Sequence, residues 1–213
     1  MKKPSVISFL ITLLLAAAVC IHGGQPVKDT AGNYLETDQQ YFIQPANTDG
    51  GGLVPAPPTL FPFCPLGIVQ TLLTSQPGLP VSFSTPNANI KTTVSTDDYV
   101  NVEFKSNNWF FCNEFSKVWK FSEISSATKE PPILVGGTPQ EPNSWFKIEI
   151  AGEEEEANTY KLTTSTGTIG AIPGIWFNAS QLVLTNDNAK TLLVKFVTTA
   201  TTSTKVEKLG LSL

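Results

Sequence analysis

The sequence predicts an all-β protein and, more narrowly, a β-trefoil. Short segments in which apolar and polar residues alternate recur along the 213 residues, as expected of strands with one buried face. Glycine- and proline-rich turns separate these segments, and no long helical period interrupts them. Three of the segments, 100–104, 146–150 and 193–196, look like weak copies of one unit about 45 residues apart. Three similar β units closed around one core would form a β-trefoil.

Seven segments are predicted as strands because each alternates apolar with polar residues. In chain order they are 41–43, 81–83, 99–104, 145–150, 160–162, 182–184 and 192–197. Turn signals lie between them, at 49–52, 76–78, 136–137 and 173–174. Glycine and proline favour such turns because of their unusual backbone freedom and rigidity.

Both ends of the chain are predicted to lie outside the folded domain. Lys2 and Lys3 precede an apolar run at 6–19 and small residues that suit cleavage, so residues 1–24 are predicted to be a signal peptide. The run is too short for a membrane span. Residues 25–198 form the predicted domain, and the threonine-rich 199–213 form a flexible or removable extension. The expected destination is the secretory pathway: the extracellular space or cell wall, endoplasmic-reticulum-derived bodies, or the vacuole.

Charge and histidine content exclude several functions. The net charge of −4 becomes −6 once Lys2 and Lys3 leave with the signal peptide, and an acidic surface does not suit nucleic acid. The only histidine, His22, lies at the cleavage site, so a Ser-His-Asp or Cys-His catalytic unit cannot form in the core. The glutamates at 153–156 are typical of a solvated turn. The protein is therefore predicted not to be an enzyme.

Two of the three cysteines are predicted to form a disulfide. Cys20 lies in the signal peptide, which leaves Cys64 and Cys112 as an even pair in an oxidising compartment. Closing a loop of about 50 residues should stabilise the fold by about 4 kcal/mol in the chain-entropy model.

The proline-rich stretch from Pro55 to Ile68 is the candidate binding segment. Proline lacks a backbone N–H and fixes φ, so this run is predicted to be a stiff loop that stays out of a central β-ladder. Its carbonyl oxygens then lack backbone partners and lie among Phe61, Phe63 and Leu66. Composition alone leaves two interpretations open. The loop is either a connector tethered at Cys64 or a surface for a flat apolar ligand that needs one oxygen contact.

The mature N-terminus resembles that of plant Kunitz-type, soybean trypsin inhibitor-like proteins. Six residues match the family signature in its spacing: Val27, Asp29, Gly32, Leu35, Tyr41 and Ile43. Cys64 and Cys112 stand where the family's first disulfide lies, whereas its second disulfide is absent. This resemblance implies a β-trefoil, in agreement with the repeated segments.

Within that family the chain is similar to the water-soluble chlorophyll-binding proteins of crucifers over nearly its whole mature length. The matching segments are 41–45, 50–55, 62–68, 76–83, 160–164, 170–176 and 189–196. Chlorophyll carries a Mg²⁺ with one open axial position, and Mg²⁺ accepts oxygen ligands readily. The resemblance implies that chlorophyll a, chlorophyll b or both are bound in a homotetramer. The expected role is scavenging and photoprotection.

The resemblance also assigns roles to individual residues. The backbone oxygen of Pro62 is the expected Mg²⁺ ligand. Trp176 matches the pigment-side tryptophan, Trp109 is a second expected contact, and Trp119 is an alternative to it. The expected lining of the macrocycle is Phe63, Cys64, Pro65, Leu66, Gly67 and Ile68. Trp145 is expected in the core.

The alternative function is protease inhibition. The Kunitz inhibitor loop should fall at Pro86, Asn87, Ala88 and Asn89, where no Lys or Arg is available to enter the acidic pocket of trypsin. The resemblance therefore favours a papain-like cysteine protease as partner over trypsin, and the two functions can coexist. Asn178 begins an Asn-Ala-Ser motif for N-glycosylation.

Overall fold

The computed structural model describes residues 24–46, 50–86, 92–106, 112–124, 129–151, 158–175 and 179–199. Residues 1–23 of the predicted signal peptide, and the predicted extension beyond residue 199, lie outside this part. No helix in the described part of the chain is long and apolar enough to cross a membrane.

The described residues form twelve strands and two short 3-10 turns, Pro142–Ser144 and Asn188–Lys190. The strands are β1 (Gln40–Pro45), β2 (Leu53–Ala56), β3 (Gly67–Gln70), β4 (Val81–Ser84), β5 (Asn101–Phe104), β6 (Trp119–Lys120), β7 (Leu134–Val135), β8 (Lys147–Ile150), β9 (Tyr160–Thr163), β10 (Thr168–Pro173), β11 (Ser180–Thr185) and β12 (Leu193–Thr198). All pairings between them are antiparallel.

Six strands close into a barrel. β1 pairs with β4 and β12, β4 with β5, and β9 with both β8 and β12. The ring closes where Val100 and Phe146 exchange backbone hydrogen bonds of 2.8 and 2.9 Å. The other six strands form three hairpins, β2–β3, β6–β7 and β10–β11, which β3 joins by pairing with β7 and β11. Three units of four strands result, and the predicted β-trefoil is confirmed.

Aromatic side chains fill the barrel. Phe83, Phe104, Trp119, Phe146 and Phe196 are fully buried. Phe83 meets Phe196 edge-on at 5.4 Å between ring centroids, and Trp119 meets Phe146 edge-on at 6.3 Å. Such pairs add stability beyond the area that they bury. The interior is therefore occupied by the protein's own side chains, and a large ligand must bind elsewhere.

All seven predicted strands are confirmed. They are the six barrel strands and β11. The predicted repeat was only partly correct. Its second and third copies, 146–150 and 193–196, fall on β8 and β12, the last strands of their four-strand units, whereas 100–104 falls on β5, the first strand of its unit. The strand of the first unit that is equivalent to β8 and β12 is β4. The proline run stays out of the central β-ladder, as predicted, but it is not a loop throughout, because Pro55 pairs with Ile68 inside β2. Proline is tolerated there because β2 pairs with β3 alone and is an edge strand.

Candidate functional site

The proline-rich loop, residues 57–66, joins β2 to β3 and displays aromatic rings to solvent. Phe61 is 80% exposed and Phe63 44%, and neighbouring Leu60 is also exposed. The two rings lie 4.8 Å apart between centroids. The peptide bonds Phe61–Pro62 and Cys64–Pro65 are cis. Clustered exposed apolar side chains of this size are typical of a binding surface.

The base of the loop is anchored in the fold. The predicted disulfide between Cys64 and Cys112 is present, with 5.7 Å between Cα atoms. Leu66 and Ile68 are buried in the core cluster, so their side chains support the loop from beneath and do not line its outer surface. Of the predicted lining residues, only Phe63 has a strongly exposed side chain.

Among the described residues, the carbonyl oxygen of Pro62 has one hydrogen-bond partner, which the sequence did not reveal. Thr59 Oγ1 donates a hydrogen bond to it at 2.9 Å, so the expectation of an unpartnered carbonyl needs correction. A carbonyl oxygen has two acceptor lone pairs. No other described residue hydrogen-bonds to this oxygen, so one lone pair is available for a second contact.

Beside this loop, four side chains form a row across the face of the sheet that points away from the core cluster, which we call the outer row: Val54, Val69, Gln181 and Ile172. The two inner members, Val69 and Gln181, are nearly buried, and the two outer members are half-buried. Register pairs Val54 with Val69, Val69 with Gln181, and Gln181 with Ile172. Residues directly opposite on antiparallel strands share a face. None of the four belongs to the core cluster, which takes alternate neighbours such as Leu53, Ile68 and Leu182. Three of the four members of the outer row are apolar.

A second set of exposed apolar residues lies on the opposite side of the outer row from the proline-rich loop. This set consists of Ile175, at the tip of the β10–β11 hairpin, and the consecutive residues Leu72 and Leu73, which follow β3. All three side chains are exposed. The proline-rich loop leaves the Gly67 end of β3, whereas the pairing of Gln181 with Val69 directs the β10–β11 tip toward the opposite end. A broad apolar ligand could span both sides of the outer row, since β3 is only four residues long.

The segment that carries Leu72 and Leu73 is held closely against the chain. Gly52 N–H donates to Gln76 O at 2.8 Å, and Thr71 N–H donates to Gly52 O at 2.9 Å. A Cβ on Gly52 would lie 1.8 Å from Pro77 O, so only glycine fits this approach. The two leucines are therefore displayed on an ordered support.

The other predicted residues have mixed positions. Trp109, Trp176, Asn87, Ala88, Asn89 and Asn178 lie outside the described residues, while Pro86 follows β4. Trp119 is fully buried, 5.3 Å from the Phe104 ring, so it cannot touch a surface ligand. Trp145, expected in the core, is half-buried; its Nε1 donates to Pro139 O at 2.9 Å.

Ionisable groups with perturbed pKa values belong to structural contacts. Burial raises the pKa of Tyr41 and of Tyr160, whose hydroxyl oxygens accept backbone hydrogen bonds from Glu36 and Lys28. A hydrogen bond from Lys190 lowers the pKa of the Glu130 carboxyl. Within the described ranges, no group of three or more His, Cys, Asp or Glu side chains could hold a metal ion.

Comparison with known proteins places this geometry in a family. The legume-type Kunitz family, described as trypsin and protease inhibitor, matches residues 27–198. The chain belongs to this family. Among curated relatives, Kunitz trypsin inhibitor 2 of Arabidopsis thaliana is 63% identical over 209 residues, which span 96% of this chain and 97% of the relative.

Two kinds of solved structure are similar to this chain. The water-soluble chlorophyll protein from Brassica oleracea var. Botrytis with chlorophyll b is 54% identical, with a TM-score of 0.76, and the match covers 82% of this chain and 98% of that one. Soybean trypsin inhibitor in complex with porcine pancreatic trypsin is 26% identical, with a TM-score of 0.68, over 82% and 99% of the chains.

The sequence analysis singled out the proline-rich loop but not the other parts of this candidate surface. Leu72, Leu73, Ile172 and Gln181 were not predicted as site residues. A leucine pair inside the polar segment Thr71–Gln76 was an available signal, since exposed turns are usually polar. The outer row had no local signal, because its members come together only through strand register.

Proposed function

We propose that the protein is a chlorophyll-binding protein and not an enzyme. The observation that carries this proposal is the proline-rich loop, which presents Phe61 and Phe63 to solvent beside the free lone pair of Pro62 O. A flat, apolar macrocycle with a Mg²⁺ at its centre fits these two features. Similarity to the chlorophyll-containing Brassica protein supports the same ligand.

The pigment is proposed to be enclosed between copies of the chain. The barrel interior is filled by aromatic side chains, so chlorophyll must lie against the outer surface. One copy would leave the other face of the macrocycle in water. A homotetramer would bury both faces and also cover the exposed phenylalanines.

The proposed biological role is scavenging and photoprotection of chlorophyll. The proposed signal peptide would send the protein to the extracellular space or cell wall, to endoplasmic-reticulum-derived bodies, or to the vacuole. Chlorophyll in healthy leaves is held in membranes, so protein and pigment would meet after cell damage or during senescence. A protein that encloses released pigment would limit its photochemical damage.

Reconstitution tests this function. The chain from residue 25 onward is mixed with chlorophyll a or chlorophyll b and analysed by size exclusion with visible spectra. The expected product is a pigmented oligomer of four chains, which bleaches more slowly under light than free pigment. A colourless monomer with both pigments would contradict the proposal.

The role of Pro62 O is tested with a pigment that lacks the metal. Pheophytin has no Mg²⁺, so it should bind more weakly than chlorophyll if this oxygen is the axial ligand. Pro62→Ala keeps a backbone carbonyl and should weaken binding through loop geometry without abolishing it. Equal affinity for the two pigments would show that Pro62 is not a metal ligand.

A second candidate function is protease inhibition. Membership of the Kunitz family and similarity to Kunitz trypsin inhibitor 2 favour it. Because residues 86–89 hold no Lys or Arg, we propose a papain-like cysteine protease as target. Titration against trypsin, chymotrypsin, elastase and papain should inhibit papain and leave trypsin active. Inhibition of trypsin alone, or of none of the four, would contradict this candidate.

A further inference from the structure

Gln181 is the one polar member of the otherwise apolar outer row. It is 8% exposed, and its backbone is fixed by pairing with Val69 and Ile172. Buried amides normally have hydrogen-bond partners, because an unpaired one loses its contacts with water. Yet among the described residues no side-chain or backbone group forms a hydrogen bond with the Gln181 amide.

The Gln181 amide also keeps some access to the surface. In the described part of the chain, the unpaired side-chain atoms that are completely inaccessible belong to Asn101, Trp119 and Thr159. The Gln181 amide is not among them. It is nearly buried, has no hydrogen-bond partner among the described residues and keeps some access to the surface, so it is able to donate a hydrogen bond to a ligand.

The surroundings of the amide belong to the candidate pigment surface. A Cβ on Gly67, at the end of the proline-rich loop, would lie 3.5 Å from Gln181 Nε2 and 3.0 Å from Pro58 Cβ. A Cβ on Gly174, next to Ile175, would lie 3.4 Å from Gln181 Cβ. The side chain therefore lies between the two loops that display exposed apolar residues.

We propose that the Gln181 amide donates a hydrogen bond to a carbonyl oxygen at the edge of the bound macrocycle; this rests on the chlorophyll-binding function proposed above. Chlorophylls carry a ring ketone and ester carbonyls at the periphery of the macrocycle, and chlorophyll b carries a formyl group on another part of that periphery. Apolar contacts with Phe61 or the valines do not fix the rotation of a flat ring. One hydrogen bond from a strand residue would fix that rotation, because strand positions are more rigid than loop positions.

The test compares wild type, Gln181→Leu and a control, Gln39→Leu, an exposed glutamine beside β1. Leucine has a similar volume and removes the amide. Bound pigment in wild type and control should show a carbonyl stretching band shifted to lower frequency in resonance Raman spectra. In Gln181→Leu this band should return to the frequency of an unbonded carbonyl, with affinity about five- to tenfold weaker.

Stability of the pigment-free proteins provides a second measurement. If the amide is unpaired before binding, Gln181→Leu should melt at the same temperature as wild type or higher. A large fall in melting temperature would show that the amide is already paired inside the fold and would overturn the inference. Identical carbonyl bands in wild type and Gln181→Leu would also overturn it while leaving chlorophyll binding intact. Failure of wild type to bind any pigment would instead reject the proposed function.

Discussion

Phenylalanine occurs in two opposite environments in this protein. In the barrel, Phe83, Phe104, Phe146 and Phe196 are completely buried and touch other rings. In the proline-rich loop, Phe61 and Phe63 contact each other and are both exposed to solvent, Phe61 more than Phe63. The barrel rings contribute to folding, because burial removes their apolar surface from water. The loop rings contribute little to the fold and remain available to a ligand.

This difference indicates how folding and binding are divided along the chain. The barrel is complete without a ligand, since its own side chains fill it. The proline-rich loop is held in place by a disulfide and by Leu66 beneath it, so it can expose aromatic rings without collapsing onto the core. Substitutions in the two regions should therefore have opposite consequences for stability and for binding.

The largest effect on stability is expected from a barrel ring. Phe146→Ala leaves a cavity beside Trp119 and Phe121 and should lower the free energy of unfolding by about 3–5 kcal/mol. The loop substitution Phe61→Ala should change it by less than about 0.5 kcal/mol. Urea denaturation followed by tryptophan fluorescence measures both. Similar losses for the two variants would remove the distinction between the regions.

The disulfide should have the next largest effect, and it connects the two regions. Cys64 and Cys112 are separated by 48 positions, so Cys64→Ser/Cys112→Ser should lower the free energy of unfolding by about 4 kcal/mol in the chain-entropy model. Pigment binding should also weaken, because the loop loses its anchor. Comparison of the oxidised wild type with the double variant checks both effects; unchanged binding would show that the loop holds its shape unaided.

The smallest effect is expected from the partly exposed ion pair of Glu130 with Lys190. Its hydrogen bond lowers the pKa of Glu130 in the folded protein. The resulting stabilisation is present above the unfolded pKa of the carboxyl and is lost as pH falls through the folded pKa. Glu130→Gln should slightly lower the melting temperature at neutral pH, and the difference from wild type should shrink in acid. A difference that grows in acid would contradict this assignment.

The barrel could be predicted from the sequence more readily than the three hairpins β2–β3, β6–β7 and β10–β11. Barrel strands such as β4 have one face in the core, and their buried and exposed residues alternate accordingly. All four residues of β3 are buried and therefore show no alternation, and β2 begins the proline run. β6 and β7 have two residues each, too few for any periodicity. Strands that are very short or buried on both faces show no alternation of apolar and polar residues, so most strands of the three hairpins were not predicted.

The candidate site was predictable only where it is local in sequence. The prolines around Phe61 and Phe63 indicated a stiff loop that exposes apolar side chains. They did not reveal that Ile68 turns into the core, nor that Thr59 reaches Pro62 O. Gln181 meets Val69 across more than a hundred residues of sequence through strand register, which one sequence does not specify.

Pigment binding by a protein with altered loop rings tests the central claim most directly. In Phe61→Ser/Phe63→Ser, the pigment-free protein should keep the circular dichroism spectrum and melting temperature of wild type, because these rings are not part of the core. After mixing with chlorophyll, wild type should elute as a pigmented oligomer and the double variant as a colourless monomer. A double variant that binds chlorophyll as wild type does, with the same spectrum and oligomeric state, would show that this loop is not the ligand surface.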